Sequence, residues 1–226
     1  MKTLGMIGGT SWHSTIVYYR LINEMVGNEI GTQANPPLLL YSLNVALMRE
    51  GDWDRIARTY AEIGQTLEAA GAEGLIICAN TPHKIANNLI SNINIPLLHI
   101  ADATARSAVA QGFGTVGLLG TLPTMEGDFL TSRFKDTYQL ETITPDAGAR
   151  EETHRLIADE MTQGNFSDTA KQFILQEMAN LMERGADGIV LGCTELPMLI
   201  GPEVTNIPLL DTTTLHAEMA MKFILS

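Results

Sequence analysis

The sequence predicts an α/β fold of two pseudo-symmetric three-layer α/β/α lobes with parallel sheets, and two observations carry it. Short apolar segments alternate with longer amphipathic ones, the pattern of parallel strands joined by crossover helices. The chain also repeats itself in order. Residues 71–81 (GAEGLIICANT) match residues 185–195 (GADGIVLGCTE) at an offset of 114 positions. Residues 3–9 (TLGMIGG) echo 115–121 (TVGLLGT), and residues 94–98 (NIPLL) recur at 206–210, both at an offset of 112. Three ordered matches indicate a duplicated unit. The first lobe is expected over residues 1–100 plus 211–226 and the second over 101–210, with the active site in the cleft between them.

The elements follow in order. Residues 2–7 read as a buried strand closed by a turn at Gly8-Gly9, with Ser11 or Ser14 as the N-cap of a helix to about residue 28. Pro36-Pro37 lead into a strand over 38–43. Residues 53–70 have helical periodicity and stop at Gly71. Residues 75–78 form a short strand, 81–88 begin a helix, 97–100 form a strand, and 101–111 form a helix stopped by Gly112. In the second half, strands are expected at 115–119, 140–144, 189–191 and 209–210. Helices are expected at 125–134, 151–161 and 169–184, with a terminal helix crossing back to the first lobe.

Composition narrows the function. With 226 residues, 45% hydrophobic and 18% charged, the chain has the make-up of a soluble globular protein with a real core. A net charge of −12 argues against a nucleic-acid surface, although a few cations inside a site can still hold an anion. No apolar run reaches membrane-spanning length, and glycines interrupt the N-terminus too early for a signal peptide. Two cysteines without metal-ligand spacing point to a reducing, cytoplasmic setting and to no metal site.

Ligands of open parallel sheets bind beyond the carboxyl ends of strands. Four such places occur here: Gly8–Ser11, Ala79–His83, Gly120–Thr124 and Cys193–Glu195. Each precedes a predicted helix, so backbone N–H groups and helix dipoles favour a bound carboxylate. Thr10, Thr81, Thr121, Thr124 and Thr194, with the Asn80 amide, add neutral donors. The Gly8-Gly9 turn lacks the third glycine of a dinucleotide site and the lysine of a phosphate loop. Cys193, read as lying at a helix N-terminus, is expected to ionise readily and move protons, although a lone cysteine after a buried strand is often inert. Cys78 is one residue out of register with Cys193 and is expected in the core. The register instead sets Ala79 against Cys193. His83 and His154 are polar candidates or supporting histidines; Arg49 and Lys171 are candidate partners for a distal carboxylate, or plain surface charges. Glu151-Glu152 and Asp159-Glu160 read as a solvated helix face.

These segments resemble the aspartate/glutamate racemase family, among the cofactor-independent amino-acid racemases. The resemblance rests on Gly5–Trp12, Asn80-Thr81-Pro82-His83, Gly117–Thr121 with Thr124-Met125-Glu126, and Leu191-Gly192-Cys193-Thr194-Glu195, and spans essentially the whole chain. It implies acid–base catalysis by two cysteines flanking the substrate α-carbon, one per lobe. It implies that Cys193 is one of the pair, that Asn80, Thr81 and Thr194 hold the α-carboxylate, and that Thr124 and Lys171 hold the side-chain carboxylate. A small acidic amino acid as ligand, a homodimer, and no pyridoxal phosphate or metal are implied as well. The departure is Ala79, where the family's first cysteine, or in some relatives a threonine, would stand. His13 also replaces the usual glutamate. Ala79 leaves open an engineered change, a water or histidine substitute, a one-sided reaction such as that of the similar arylmalonate decarboxylases, or a binder without turnover.

Overall fold

The computed structural model describes residues 1–226 as two compact units, Met1–Ile100 with Thr213–Ser226, and Ala101–Thr212. In chain order the elements are β1 (Leu4–Gly8), α1 (Trp12–Ile30), β2 (Leu38–Ser42), α2 (Ala46–Glu50), α3 (Trp53–Ala69), β3 (Gly74–Ile77), a 3-10 turn (Thr81–Ile85) and α4 (Ala86–Ile90). There follow α5 (Ile100–Ala110), β4 (Thr115–Leu119), α6 (Leu122–Glu126), α7 (Asp128–Tyr138), β5 (Glu141–Ile143) and α8 (Ala147–Arg155). Helix α8 runs into a π turn (Leu156–Glu160) and a 3-10 turn (Met161–Gln163). The chain ends with α9 (Asp168–Glu183), β6 (Gly188–Leu191), α10 (Leu196–Leu199), β7 (Leu209–Asp211) and α11 (Thr212–Leu225).

Both sheets are parallel, as the alternation predicts: β2-β1-β3 in the first unit and β5-β4-β6-β7 in the second. The central strands are buried throughout because helices cover both faces. In the first unit Leu4, Met6 and Ile76 pack on Tyr18, Ile22 and Val26 of α1 and on Ala217, Ala220 and Ile224 of α11. Ile7, Leu75 and Ile77 point the other way, onto Ile56, Tyr60, Ile63 and Leu67 of α3. In the second unit Leu119, Ile189 and Leu191 pack on Ile174, Met178 and Leu181 of α9. Caps fix the helix starts: Ser11, Asp52, Asp146 and Ser167 each accept the backbone N–H three residues on.

The sequence repeat reappears as a repeat of hydrogen bonds within each unit. Glu73 N–H donates to Thr3 O at 2.8 Å, and Asp187 N–H to Thr115 O at 2.8 Å. Leu75 N–H donates to Pro96 O and Ile189 N–H to Pro208 O, both at 2.8 Å. Cys78 N–H donates to Ile7 O at 2.9 Å, and Gly192 N–H to Leu119 O at 2.7 Å. Gly71 and Gly185, which end the preceding helices, have φ of +99° and +97°, a backbone only glycine adopts readily. Residue 79 therefore leaves its strand in the first unit as residue 193 does in the second.

Several predicted elements differ. Residues 97–100 form no strand: Leu97 makes one isolated bridge to Leu75, and Ile100 already begins α5. The helix expected over 125–134 is two helices, because Gly127 is extended (φ −76°, ψ 152°). The helix expected from 151 begins at Ala147, where Asp146 caps it. Residues 81–88 start as a 3-10 turn, and α2 was not predicted.

Candidate active site

In the first unit the loop after β1 is tied down by its own hydroxyls. Gly9 N–H donates to Thr15 Oγ1, and Thr15 Oγ1 donates to Ser11 O, both at 2.9 Å. A side chain on Gly9 would overlap the Leu43 carbonyl, and its φ is +93°, so only glycine makes this turn. Thr10 Oγ1 lies 3.3 Å from the Tyr60 hydroxyl, whose pKa burial pushes up, keeping it a neutral phenol. Ser14 Oγ donates to Cys78 O at 2.6 Å, joining the start of α1 to the end of β3.

The segment Ala79-Asn80-Thr81 follows directly. Ala79 and Asn80 are buried, 8% and 5% exposed. His83 lies beneath them. Its Nε2 accepts Ile100 N–H at 3.3 Å, so Nδ1 carries the proton and donates to Ala79 O at 2.9 Å and Asn80 O at 3.2 Å. Burial and the adjacent rings of His99 and His216 hold its pKa well below the ordinary 6.5. His83 is thus a neutral support for the backbone of residue 79. His216 extends the cluster, contacting Tyr18 OH at 2.9 Å and Leu98 O at 2.7 Å. Cys78 is fully buried and its thiol is pushed up by desolvation, as its register predicts for a core residue.

In the second unit the loops after β4 and β6 are neighbours. A Cβ on Gly192 would meet Thr124 Cγ2 at 3.2 Å, and one on Gly120 would meet Gly192 O at 3.1 Å. Glycine at both positions lets the two loops close together. Thr121 Oγ1 and Thr124 Oγ1 are 3.1 Å apart at the start of α6. Leu122 N–H donates to His154 Nδ1 at 3.3 Å, which makes His154 a support for this loop. The half-buried Cys193 donates its thiol to Glu195 Oε2 at 3.0 Å, and Thr194 Oγ1 donates to the same oxygen at 2.8 Å.

That geometry corrects the expectation of a readily ionised thiol. Desolvation first, and the Glu195 carboxylate second, push the Cys193 pKa well above its ordinary value. The helix that follows, α10, has only four residues, too short for a strong dipole. Glu195, to which the sequence attached no role, is the one carboxylate bonded to this sulfur; its place two residues after the cysteine was the available signal.

Lys171 is half-buried in the first turn of α9, and no hydrogen bond or ion pair ties its ammonium to these loops. Arg49 is exposed at the end of α2, and His13 is exposed with its ring 3.6 Å from that of Trp12. Glu152 and Glu160 pair with Arg155, as an outward helix face does.

Two repeated parallel-sheet units, with hydroxyls, amide groups and one thiol after corresponding strands, define the class: a duplicated α/β protein of the amino-acid racemase type. The chain belongs to the Asp/Glu/Hydantoin racemase family, whose model matches residues 7–220. It is similar over 100% of both chains to a crystal structure of a candidate Asp/Glu racemase from Yersinia pestis, with 39% identity and a TM-score of 0.95. An aspartate racemase homologue from Pyrococcus horikoshii OT3 matches over the same 100% of both chains, at 30% identity and a TM-score of 0.89. The broad specificity amino-acid racemase RacX of Bacillus subtilis is 24% identical over 81% of this chain and 79% of its own length. Family membership supports an amino-acid racemase, an isomerase-type enzyme. No helix is long and apolar enough to cross a membrane.

Proposed function

We propose that the protein is a cofactor-independent racemase-type enzyme acting on aspartate and/or glutamate in the cytoplasm, with Cys193 as its acid/base and position 79 as a catalytic slot without a thiol. The observation that carries this is the doubled hydrogen-bond scheme, which gives Ala79 the place in its unit that Cys193 has in the other. In this scheme Asn80, Thr81 and Thr194 hold the α-carboxylate. Thr124 and Lys171 hold the side-chain carboxylate, and Thr10 and Thr121 add donors. Glu195 takes the thiol proton, the thiolate removes the α-proton, and the same sulfur returns a proton to the same face. A methyl group at residue 79 neither accepts nor delivers a proton, so exchange with retention outpaces inversion.

Incubating both enantiomers of aspartate and glutamate in D2O tests this, with loss of the α-proton signal as the readout. Exchange with at least one enantiomer, abolished by Cys193→Ser, is expected. Binding of these amino acids with no exchange would instead identify a non-catalytic binder. The single thiol also favours a second reading, a one-sided decarboxylase or isomerase of a small dicarboxylate. Carbon dioxide release from substituted malonates, without exchange on amino acids, would select it.

A further inference from the structure

Tyr60 carries a polar group where packing alone does not call for one. It lies on the buried stripe of α3, fully enclosed in the cluster of Ile7, Ile56, Ile63, Leu75 and Ile77. A phenylalanine would fill nearly the same space without the cost of taking a hydroxyl out of water. The Tyr60 hydroxyl has one hydrogen-bond partner, Thr10 Oγ1 at 3.3 Å, and Thr10 Oγ1 has no other. The distance is long for a pair of hydroxyls, as hydrogen bonds at a site often are before a ligand arrives.

Burial decides the direction of this bond. It holds the phenol neutral, so Tyr60 keeps its hydrogen. Were Thr10 the donor, that hydrogen would find no acceptor in a place water does not reach, and a stranded buried donor is costly. Tyr60 therefore donates and Thr10 Oγ1 accepts. Thr10 is half-buried, so the hydrogen of its own hydroxyl is free to turn away from the core. A hydroxyl that accepts one hydrogen bond donates the next more strongly. Its one uncommitted hydrogen calls for an acceptor, which a carboxylate oxygen supplies and an ammonium group does not.

Thr10 also stands beside the segment that the proposed chemistry gives to a carboxylate. Strands β1 and β3 pair in parallel with Ile7 beside Ile77, and Thr10 and Asn80 each follow three residues further on. Ser14 Oγ, donating to Cys78 O at 2.6 Å, ties together the chain beyond these two strand ends. We propose that Tyr60 is a positioning residue: it fixes the Thr10 hydroxyl as a donor to the carboxylate that Asn80 holds, so that this loop selects the anion and not the α-ammonium group. The inference deepens the reading of Thr10 as a substrate donor and rests on it.

Calorimetric titration of the full chain tests it, with both enantiomers of aspartate and glutamate and with succinate and glutarate, which lack the ammonium group. Tyr60→Phe should weaken binding of amino acids and plain dicarboxylates alike, by about five- to tenfold. The α-proton exchange rate at saturation should change by less than about twofold. Thr10→Val should weaken binding at least as much, and Tyr60→Phe added to Thr10→Val should cost nothing more. An equal further loss in that background would mean that Tyr60 acts only on the fold, and overturns the proposal. So does a loss confined to the amino acids, which would set Thr10 against the ammonium group, and so does a wild type that binds none of these acids. Binding with the expected losses but without exchange in D2O upholds the proposal and removes the acid–base reading instead. Urea unfolding without ligand checks the direction of the bond. Thr10→Val strands the phenol hydrogen and should lower the midpoint, and adding Tyr60→Phe should restore it. A midpoint that Thr10→Val leaves in place would give that hydrogen another acceptor and overturn the proposal.

Discussion

Cys193 Sγ and Glu195 Oε2 stand 3.0 Å apart, joined by a hydrogen bond in which the thiol is the donor. The carboxylate has two opposed effects on this sulfur. Its charge disfavours a resting thiolate, and its lone pair is the nearest acceptor for the proton that a working thiolate must lose.

Glu195→Gln separates the two. The amide keeps a hydrogen-bond acceptor but removes the charge, so the midpoint of iodoacetamide alkylation should move to lower pH. Buried Cys78 contributes no competing signal. Exchange at the substrate α-carbon should meanwhile fall about a hundredfold, the usual worth of a positioned acid or base. An unmoved alkylation midpoint would leave desolvation alone as the cause of the raised thiol pKa.

Ala79→Cys should restore a second proton-transfer group. Two-way interconversion of aspartate or glutamate enantiomers, followed by chiral chromatography, should rise about 10²–10⁴-fold. The added sulfur is a small change at a site 8% exposed, so stability should shift by less than about 1.5 kcal/mol. Ala79→Val, which adds bulk but no acid, should give no gain.

The neutral His83 makes the fold sensitive to acid. The unfolded chain takes up this proton below about pH 6.5, while the folded chain resists it because the folded pKa lies well below that value. Stability is therefore fully present above pH 6.5 and declines as pH falls from there toward the folded pKa. The slope approaches about 1.4 kcal/mol per pH unit for one proton. Urea unfolding at pH 5, 6, 7 and 8 measures it. His83→Gln should flatten that slope and lower stability at pH 8 by about 1–3 kcal/mol through its lost backbone bonds.

Gly5 and Gly117 should respond alike to alanine. A Cβ on Gly5 would overlap Leu75 Cδ2 and lie 3.3 Å from Leu67 Cβ. One on Gly117 would lie 2.7 Å from Ile189 Cδ1 and 3.1 Å from Leu181 Cβ. These are the same neighbours in the two units. Each substitution should cost about 1–3 kcal/mol by overpacking, read as a shift of the urea midpoint.

The parts of the fold legible in the sequence are those set by local pattern. Strand β4 occupies residues 115–119 as its apolar run predicts, and α3 follows its 3.6-residue stripe from Trp53. The repeat could be read because both copies keep the glycines that end the helices and begin the strands. Residues 97–100 misled because an apolar Leu-Leu pair forms either a strand or a single bridge, and only the hydrogen bonds around Leu75 decide which. The break at Gly127 escaped because a lone glycine inside a helical pattern is usually tolerated. Around the thiol, residue types were legible but electrostatics were not. Where the Glu195 side chain turns, and how dry the sulfur is, depend on packing that spacing does not encode.

The backbone bonds that fix the ends of β3 and β6 make no use of the side chains at 79 and 193. His83 grips the carbonyl of residue 79, and it would grip it equally under a thiol, a hydroxyl or a methyl. A halved protein copied in this way can gain or shed a proton-handling group by one codon change while its scaffold stays put. Reactivity at that point is free to drift between relatives that fold alike.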